Sequence, residues 1–182
     1  KTGTLTEGRP AVVSVLPGSG HTEQDLLMIA AGLEACSDHP LALAILAHAE
    51  RAGVSPARVT DFTIVPGRGA IGVIDDVPYW LGSHRYLEER GQETPAVHAE
   101  LERLARTGCT VVVIGNAEHV CGMIALADTI RPTARAAIAR LRALGVQHVI
   151  MLTGDNRPTA EAIAKEAGIT EVMAELLPAD KV

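Results

Sequence analysis

Aromatic residues are almost missing from this 182-residue sequence, which has one Trp, two Tyr and one Phe. Ala, Val, Leu and Ile must therefore fill its core. Long apolar runs are missing too. The longest, at 26–31 and 41–47, fall far short of the roughly 18 residues that a membrane-spanning helix needs. There is no run of Lys and Arg. The net charge is −6 and the pI is near 5.6, which weighs against electrostatic binding of nucleic acid. Only three cysteines occur, Cys36, Cys109 and Cys121, and they form no CxxC pair. That pattern points to a reducing compartment and away from a structural zinc site. What remains is an ordinary globular composition, 47% hydrophobic and 21% charged, with length for one domain or two small ones. The first residue is Lys1 rather than Met, no signal-peptide pattern is present, and the last residues show no terminating element, so a piece of something longer is expected.

Two grammars of secondary structure run along the chain. From about residue 131 onward the order is helix, strand, helix, strand. Residues 132–144 form an amphipathic helix opened by Pro132 and closed by Gly145, 146–152 an apolar strand, and 156–167 a second helix. Such alternation predicts a parallel, Rossmann-like sheet. Between about residues 9 and 121 the order is two helices, paired strands, a helix and a final strand pair. Thr22 with Asp25 starts the first helix, and Ser37-Asp38-His39-Pro40 separates it from the second, which ends at Gly53. Short β-branched runs at 61–65, 70–74 and 77–81 come next, then a helix over 97–106, and 110–114 pairs with 119–126. An antiparallel α+β unit inserted into a loop of the α/β unit is the simplest arrangement. It places two chain crossings, near 5–10 and 124–129, as a natural hinge.

Several short motifs carry chemistry only in company. Gly67-Arg68-Gly69-Ala70-Ile71-Gly72 satisfies GxGxxG, but residues 73–78 continue as strand, acidic turn and strand, whereas a dinucleotide fingerprint must open a helix. Close backbone approach to a ligand and a plain hairpin turn both remain open there. His39 alone reads as a structural histidine and Glu34 as a solvated carboxylate. Cys36 with His39 lacks the further ligands a metal needs. Thr153-Gly154-Asp155-Asn156 occupies a strand-to-helix turn, the position where open α/β sheets bind ligands. Lys181 alone is a surface lysine.

Taken together, Lys1-Thr2-Gly3-Thr4-Leu5-Thr6, Thr153-Gly154-Asp155-Asn156 and Pro178-Ala179-Asp180-Lys181 resemble, in order and separation, the phosphorylation-domain motifs of P-type ATPases. Ser37-Asp38-His39-Pro40-Leu41-Ala42 resembles the histidine-proline signature of the heavy-metal-transporting subgroup, and Gly67-Arg68-Gly69 its nucleotide-binding glycine pair. The resemblance spans the whole chain. It implies a partial Rossmann-like phosphorylation domain of the haloacid-dehalogenase type, at 1–8 and 123–182, with an inserted α+β nucleotide-binding domain at 9–122. It also implies ATP and Mg²⁺ as cofactors, and the membrane and actuator domains of the same transporter as partners. The setting it implies is the cytoplasmic side of a membrane, with the isolated piece monomeric.

The resemblance further implies residue roles. His39 would contact adenine, Glu34 would hydrogen-bond its amino group, and Gly67 and Gly69 would admit the nucleotide backbone-close. Ser83 stands where copper transporters place an Asn that assists nucleotide binding, and a short hydroxyl could partly replace it. Lys1, Thr2, Thr153, Asp155 and Lys181 would form the catalytic group. Thr2 would offer its carbonyl to Mg²⁺ and its hydroxyl to the transferring phosphoryl. Thr153 would donate to phosphoryl oxygen, Asp155 would orient the nucleotide and metal end, and Lys181 would neutralise developing charge. The phosphorylated Asp would precede Lys1 and the Mg²⁺-binding carboxylates would come after Val182, so turnover by this piece alone is not expected. Ser83 and the segment Leu176-Leu177-Pro178-Ala179-Asp180-Lys181-Val182 look more like the zinc, cadmium and lead branch than the copper branch. The alternatives are a haloacid-dehalogenase-type phosphatase whose middle unit is a substrate cap, and a regulatory nucleotide sensor, which would have no need of Lys181 or the Lys1–Thr4 segment.

Overall fold

The computed structural model describes residues 3–155 and 157–176. A twelve-residue strand, β1 (Thr6–Pro17), opens the fold where the sequence suggests a short strand running into a loop. Its β-branched Val12, Val13 and Val15 suit extended backbone, and Val12 and Val15 are buried. Helix α1 (Glu23–Glu34) begins with a reciprocal cap: Thr22 Oγ1 accepts from the Asp25 N–H (3.1 Å), and Asp25 Oδ2 accepts from the Thr22 N–H (2.9 Å). Helix α2 (Pro40–Arg51) has Pro40 in its first turn, where the missing N–H costs nothing.

Strands β2 (Thr60–Val65), β3 (Gly69–Ile74) and β4 (Val77–Gly82) form an antiparallel meander. Asp75 and Asp76 turn β3 into β4 with φ of 48° and 62°, the left-handed pair a two-residue hairpin needs. A short helix, α3 (His84–Glu89), comes next, at a place where the sequence pattern predicts no element. After α4 (Pro95–Ala105), strands β5 (Thr110–Asn116) and β6 (Val120–Ile130) complete a six-stranded sheet in the order β1-β6-β5-β4-β3-β2. The rest of the chain is α5 (Ala134–Ala143), β7 (Ile150–Leu152), α6 (Arg157–Ala167) and β8 (Glu171–Met173). β7 and β8 pair in parallel, as the α/β grammar predicts, but β7 is three residues long, shorter than the predicted 146–152.

The chain divides into two compact units. One holds residues 10–101 and 111–126; the other holds 1–9, 102–110 and 127–182. The first has a core of Leu26, Leu33, Ile45, Leu81, Ile114 and Leu126, with α1 against the sheet and α2 packed on α1. In the second, Ile138, Met151, Ala160, Ile163 and Ala167 pack together. The expected crossings near 5–10 and 124–129 run through continuous strands, β1 and β6, rather than loops. Residues 102–110 group with the α/β unit because Thr159 Oγ1 donates to the Cys109 carbonyl (3.0 Å) and Gly108 lies against Ile163 and Ala162.

Candidate functional site

The turn between α1 and α2 arranges the first predicted pair. Glu34 ends α1 and is only 9% exposed, so it is not the solvated carboxylate its position in sequence suggests. Burial pushes its pKa above the ordinary carboxylate value, opposed by a hydrogen bond with Ser37. The Ser37 N–H donates to the Glu34 carbonyl (3.0 Å), and the His39 N–H donates to Ser37 Oγ (3.3 Å), so the turn is tied locally. His39 caps α2: its Nδ1 accepts from the Leu41 N–H (3.3 Å). With Nδ1 an acceptor, the neutral ring carries its proton on Nε2. The imidazole is thus fixed at one edge while its residue stays exposed.

The glycine pair lies at the β2–β3 turn of the same unit. Gly67 has φ +70° with open space around its α-carbon, and Gly69 starts β3 opposite Gly82. A Cβ at Gly69 would collide with the Leu81 carbonyl, so glycine is required there by close strand approach. Arg68, between them, pairs with Glu89 (2.6 Å), a carboxylate that Arg85 also contacts (3.3 Å). Helix α1 sits over this strand, with Leu33 against Gly72, about 10 Å along β3 from Gly69. Ser83 is joined to the glycine turn by its N–H, which donates to the Arg68 carbonyl (3.1 Å). Its hydroxyl accepts from the Tyr86 N–H (3.4 Å) and caps α3, a local duty that sequence reasoning missed. A cavity of about 420 Å³ lies between the end of α2 and residues 53–56, and none of these side chains lines it.

In the α/β unit, Thr153, Gly154 and Asp155 lie between the carboxyl end of parallel strand β7 and helix α6. Thr153 is buried, donates its N–H to the Met173 carbonyl (3.0 Å) and accepts at its carbonyl from the Leu176 N–H (3.0 Å). Its hydroxyl donates to Asp155 Oδ2 (2.9 Å) and accepts from the Asp155 N–H (3.1 Å). The two side chains form one hydrogen-bonded turn at the strand end. Asp155 is the one carboxylate this turn supplies among the described residues. That suits Mg²⁺, which keeps waters and binds through few carboxylates together with substrate phosphates. Lys1, Thr2 and Lys181 lie outside the described residues.

Residues 1–182 match the haloacid dehalogenase-like hydrolase family. The chain is 45% identical over 181 residues to a copper-exporting P-type ATPase B of Archaeoglobus fulgidus, covering 100% of this chain and 26% of that protein. It is 41% identical over 186 residues to a probable cadmium-transporting ATPase of Staphylococcus aureus, covering 100% of this chain and 23% of that protein. The chain thus spans about a quarter of the length of these curated relatives. A solved zinc-transporting PIB-type ATPase in its E2·Pi state superposes with a TM-score of 0.73 at 39% identity, over 100% of this chain and 29% of that one. The N-domain of a copper-transporting P-type ATPase gives a TM-score of 0.56 at 29% identity, covering 63% of this chain and 98% of that one.

Proposed function

The chain belongs to the haloacid dehalogenase-like hydrolase family, and from that premise we propose that it is the ATP-binding catalytic portion of a heavy-metal-exporting P-type ATPase. Copper and cadmium transporters are related to it along its whole length. In this reading residues 9–122 hold the nucleotide, and 1–8 with 123–182 belong to the phosphorylation domain on the cytoplasmic side of the membrane. The cap-bearing phosphatase is the less supported reading, since the relatives are transporters over every part of the chain. For cargo we favour zinc, cadmium or lead; the support is Ser83 and the segment from Leu176 to Val182, and copper exporters are among the relatives.

The observation that carries the nucleotide assignment is the Glu34–His39 turn. An exposed imidazole pinned through Nδ1 offers adenine a fixed stacking face. The buried Glu34 carboxylate accepts from the adenine amino group, whereas the guanine O6 lone pairs would repel it. Gly67, with open space where a Cβ would stand, leaves the β2–β3 turn clear for the sugar and phosphates, and Gly69 lets the start of β3 lie close against β4 so that the turn keeps that shape. In the α/β unit, Thr153 Oγ1 donates to a phosphoryl oxygen, and Asp155 orients the nucleotide and metal end. Mg²⁺, when bound with the phosphates, supplies charge neutralisation.

Titration of the chain with ATP, ADP and GTP, monitored by amide NMR, tests this reading. Adenine-selective shifts are expected at Glu34, His39, Gly67 and Gly69. His39→Ala should weaken ATP by about 1–3 kcal/mol, the worth of base stacking. Equal affinity for ATP and GTP with a silent His39→Ala would refute it.

A further inference from the structure

The nucleotide unit brings together three side chains to which the ATP reading assigns no role. His21 lies between β1 and α1, His119 in the β5–β6 turn, and Cys121 on β6. The two imidazole Nε2 atoms are 3.0 Å apart, Cys121 Sγ is 4.0 Å from His119 Nε2, and all three donor atoms lie within 4.8 Å of one another. For a tetrahedral zinc-type ion, with bonds of about 2.0 Å to nitrogen and 2.3 Å to sulfur, the ligand edges are about 3.3 Å for N···N and 3.5 Å for N···S. The observed N···N edge is about 0.3 Å shorter and the observed N···S edge about 0.5 Å longer than in that triangle, a difference that small side-chain rotations close. At present one imidazole must carry a proton that the other accepts. An ion would take the place of that proton and of the thiol hydrogen of Cys121.

The backbone around the cluster holds it in place from both sides. The Gly18 N–H donates to the Cys121 carbonyl (2.7 Å), and a Cβ at Gly18 would stand 2.8 Å from the Val120 carbonyl oxygen, so only glycine lets the end of β1 come this close to β6. The His21 N–H then donates back to the Gly18 carbonyl (3.2 Å), and the Thr22 cap anchors the first turn of α1 directly behind it. On the other side, Asn116 Oδ1 accepts from the N–H groups of Glu118 (2.8 Å) and His119 (2.9 Å), fixing the turn. Cys121 is fully buried, His119 exposed and His21 half-buried, so the thiol forms the floor and the imidazoles the rim. A fourth, solvent-side position is left for water.

We propose that His21, His119 and Cys121 bind one zinc-class d¹⁰ cation, which clips the β1–α1 corner to the β5–β6 turn. The site lies at the Glu23 end of α1, about 18 Å of helix from Glu34, and is separate from the proposed nucleotide site. A second cluster in this unit, His84, Glu93 and His98, is a weaker candidate. There Glu93 Oε1 already accepts both imidazoles, at 2.6 and 2.8 Å, and the set contains no soft donor.

Anaerobic titration of the reduced, full chain with Co²⁺, and then displacement with Zn²⁺, tests the proposal. One Co²⁺ per chain should bind with a thiolate-to-metal charge-transfer band that Zn²⁺ abolishes. Cys121→Ser should remove the band. His21→Gln and His119→Gln, the latter at an exposed position that leaves the core intact, should each weaken binding about tenfold or more, while His84→Gln and Cys36→Ser change nothing. Zn²⁺ should also raise the thermal midpoint of the wild-type chain and not that of His119→Gln. Binding without a thiolate band, a band that survives Cys121→Ser, or one lost in Cys36→Ser would overturn it. So would failure to bind Co²⁺ at all.

Discussion

The two units solve the burial problem to different degrees. The α+β unit, to which the proposal assigns the nucleotide, has a six-stranded sheet with α1 against it and α2 packed on α1, and Leu26, Leu33, Trp80, Ile114 and Leu126 are each at most 1% exposed. The α/β unit has two strands of three residues, and only Met151 of β7 is buried. Ile150, Leu152 and Met173 are exposed, as is Leu144 at 75%. A parallel sheet is normally covered on both faces, and among the described residues of this strand pair only Met151 is buried. Rigidity is therefore unevenly shared. The Glu34–His39 turn and the Gly67–Gly69 turn are held by a deep core, whereas Thr153 and Asp155 depend on one short strand pair and a few backbone hydrogen bonds.

The largest expected effect would break that contrast if it failed. Leu26→Ala, at a fully buried position, should destabilise the unit that holds it by about 3–5 kcal/mol. Met151→Ala should cost about 2 kcal/mol and speed amide exchange in α5, α6 and β8. Trp80, the single tryptophan, is buried in the nucleotide unit, so its fluorescence in a urea titration reports that unit. Leu26→Ala should shift the Trp80 transition and Met151→Ala leave it in place. An equal shift in both would make the two units one cooperative body.

Glu34 sharpens the comparison from the functional side, because it is a charge placed inside the better-packed unit. Its folded pKa is raised by burial, so the native state binds its proton more tightly than the unfolded chain does. The contribution is therefore complete below the ordinary value of 4.5 and is lost as pH rises through the raised value. Glu34→Gln should be more stable than wild type at neutral pH by about 1 kcal/mol, or roughly 2–4 °C in thermal midpoint, and the gain should vanish in acid. The same variant should lose discrimination between ATP and GTP, since an amide can rotate to suit either base. In wild type that discrimination should fall as pH is lowered through the Glu34 pKa. Calorimetric melts at two pH values with paired ATP and GTP titrations check all three outcomes.

Much of this architecture is legible in the sequence because local signals agree with the fold. The Thr22–Asp25 capping box, Pro40 in a first helical turn and the Asp75-Asp76 turn each fix an element boundary by short-range hydrogen bonding or dihedral preference. Two features escape sequence reasoning, for different reasons. β1 continues through the supposed loop because it pairs with β6, more than a hundred residues later. The six-residue helix α3 is too short to show a period of its own. At the candidate site, the order of motifs points to Glu34, His39 and Gly69 but cannot reveal that Glu34 is buried. The His21, His119 and Cys121 cluster is invisible for the same reason. Cysteine spacing argues against a zinc site, and 98 residues separate the two histidines that the sheet brings together.

The smallest effect separates two duties at one residue. The resemblance gives Ser83 a part in nucleotide binding, yet its hydroxyl accepts from the Tyr86 N–H and its own N–H holds the Arg68 carbonyl beside the glycine pair. Ser83→Ala deletes the first bond and keeps the second, so it should cost about 0.5–1 kcal/mol of stability through the lost cap and leave the Gly67–Gly69 turn where it is. If capping is the whole role, ATP affinity stays unchanged while the urea midpoint falls. If the hydroxyl also reaches the nucleotide, ATP affinity falls as well, and Ser83→Asn, which keeps a capping oxygen and adds a donor, restores it. Measuring ATP affinity and urea midpoint for both variants distinguishes a site built only from backbone clearance and the Glu34–His39 turn from one that also recruits the first turn of α3.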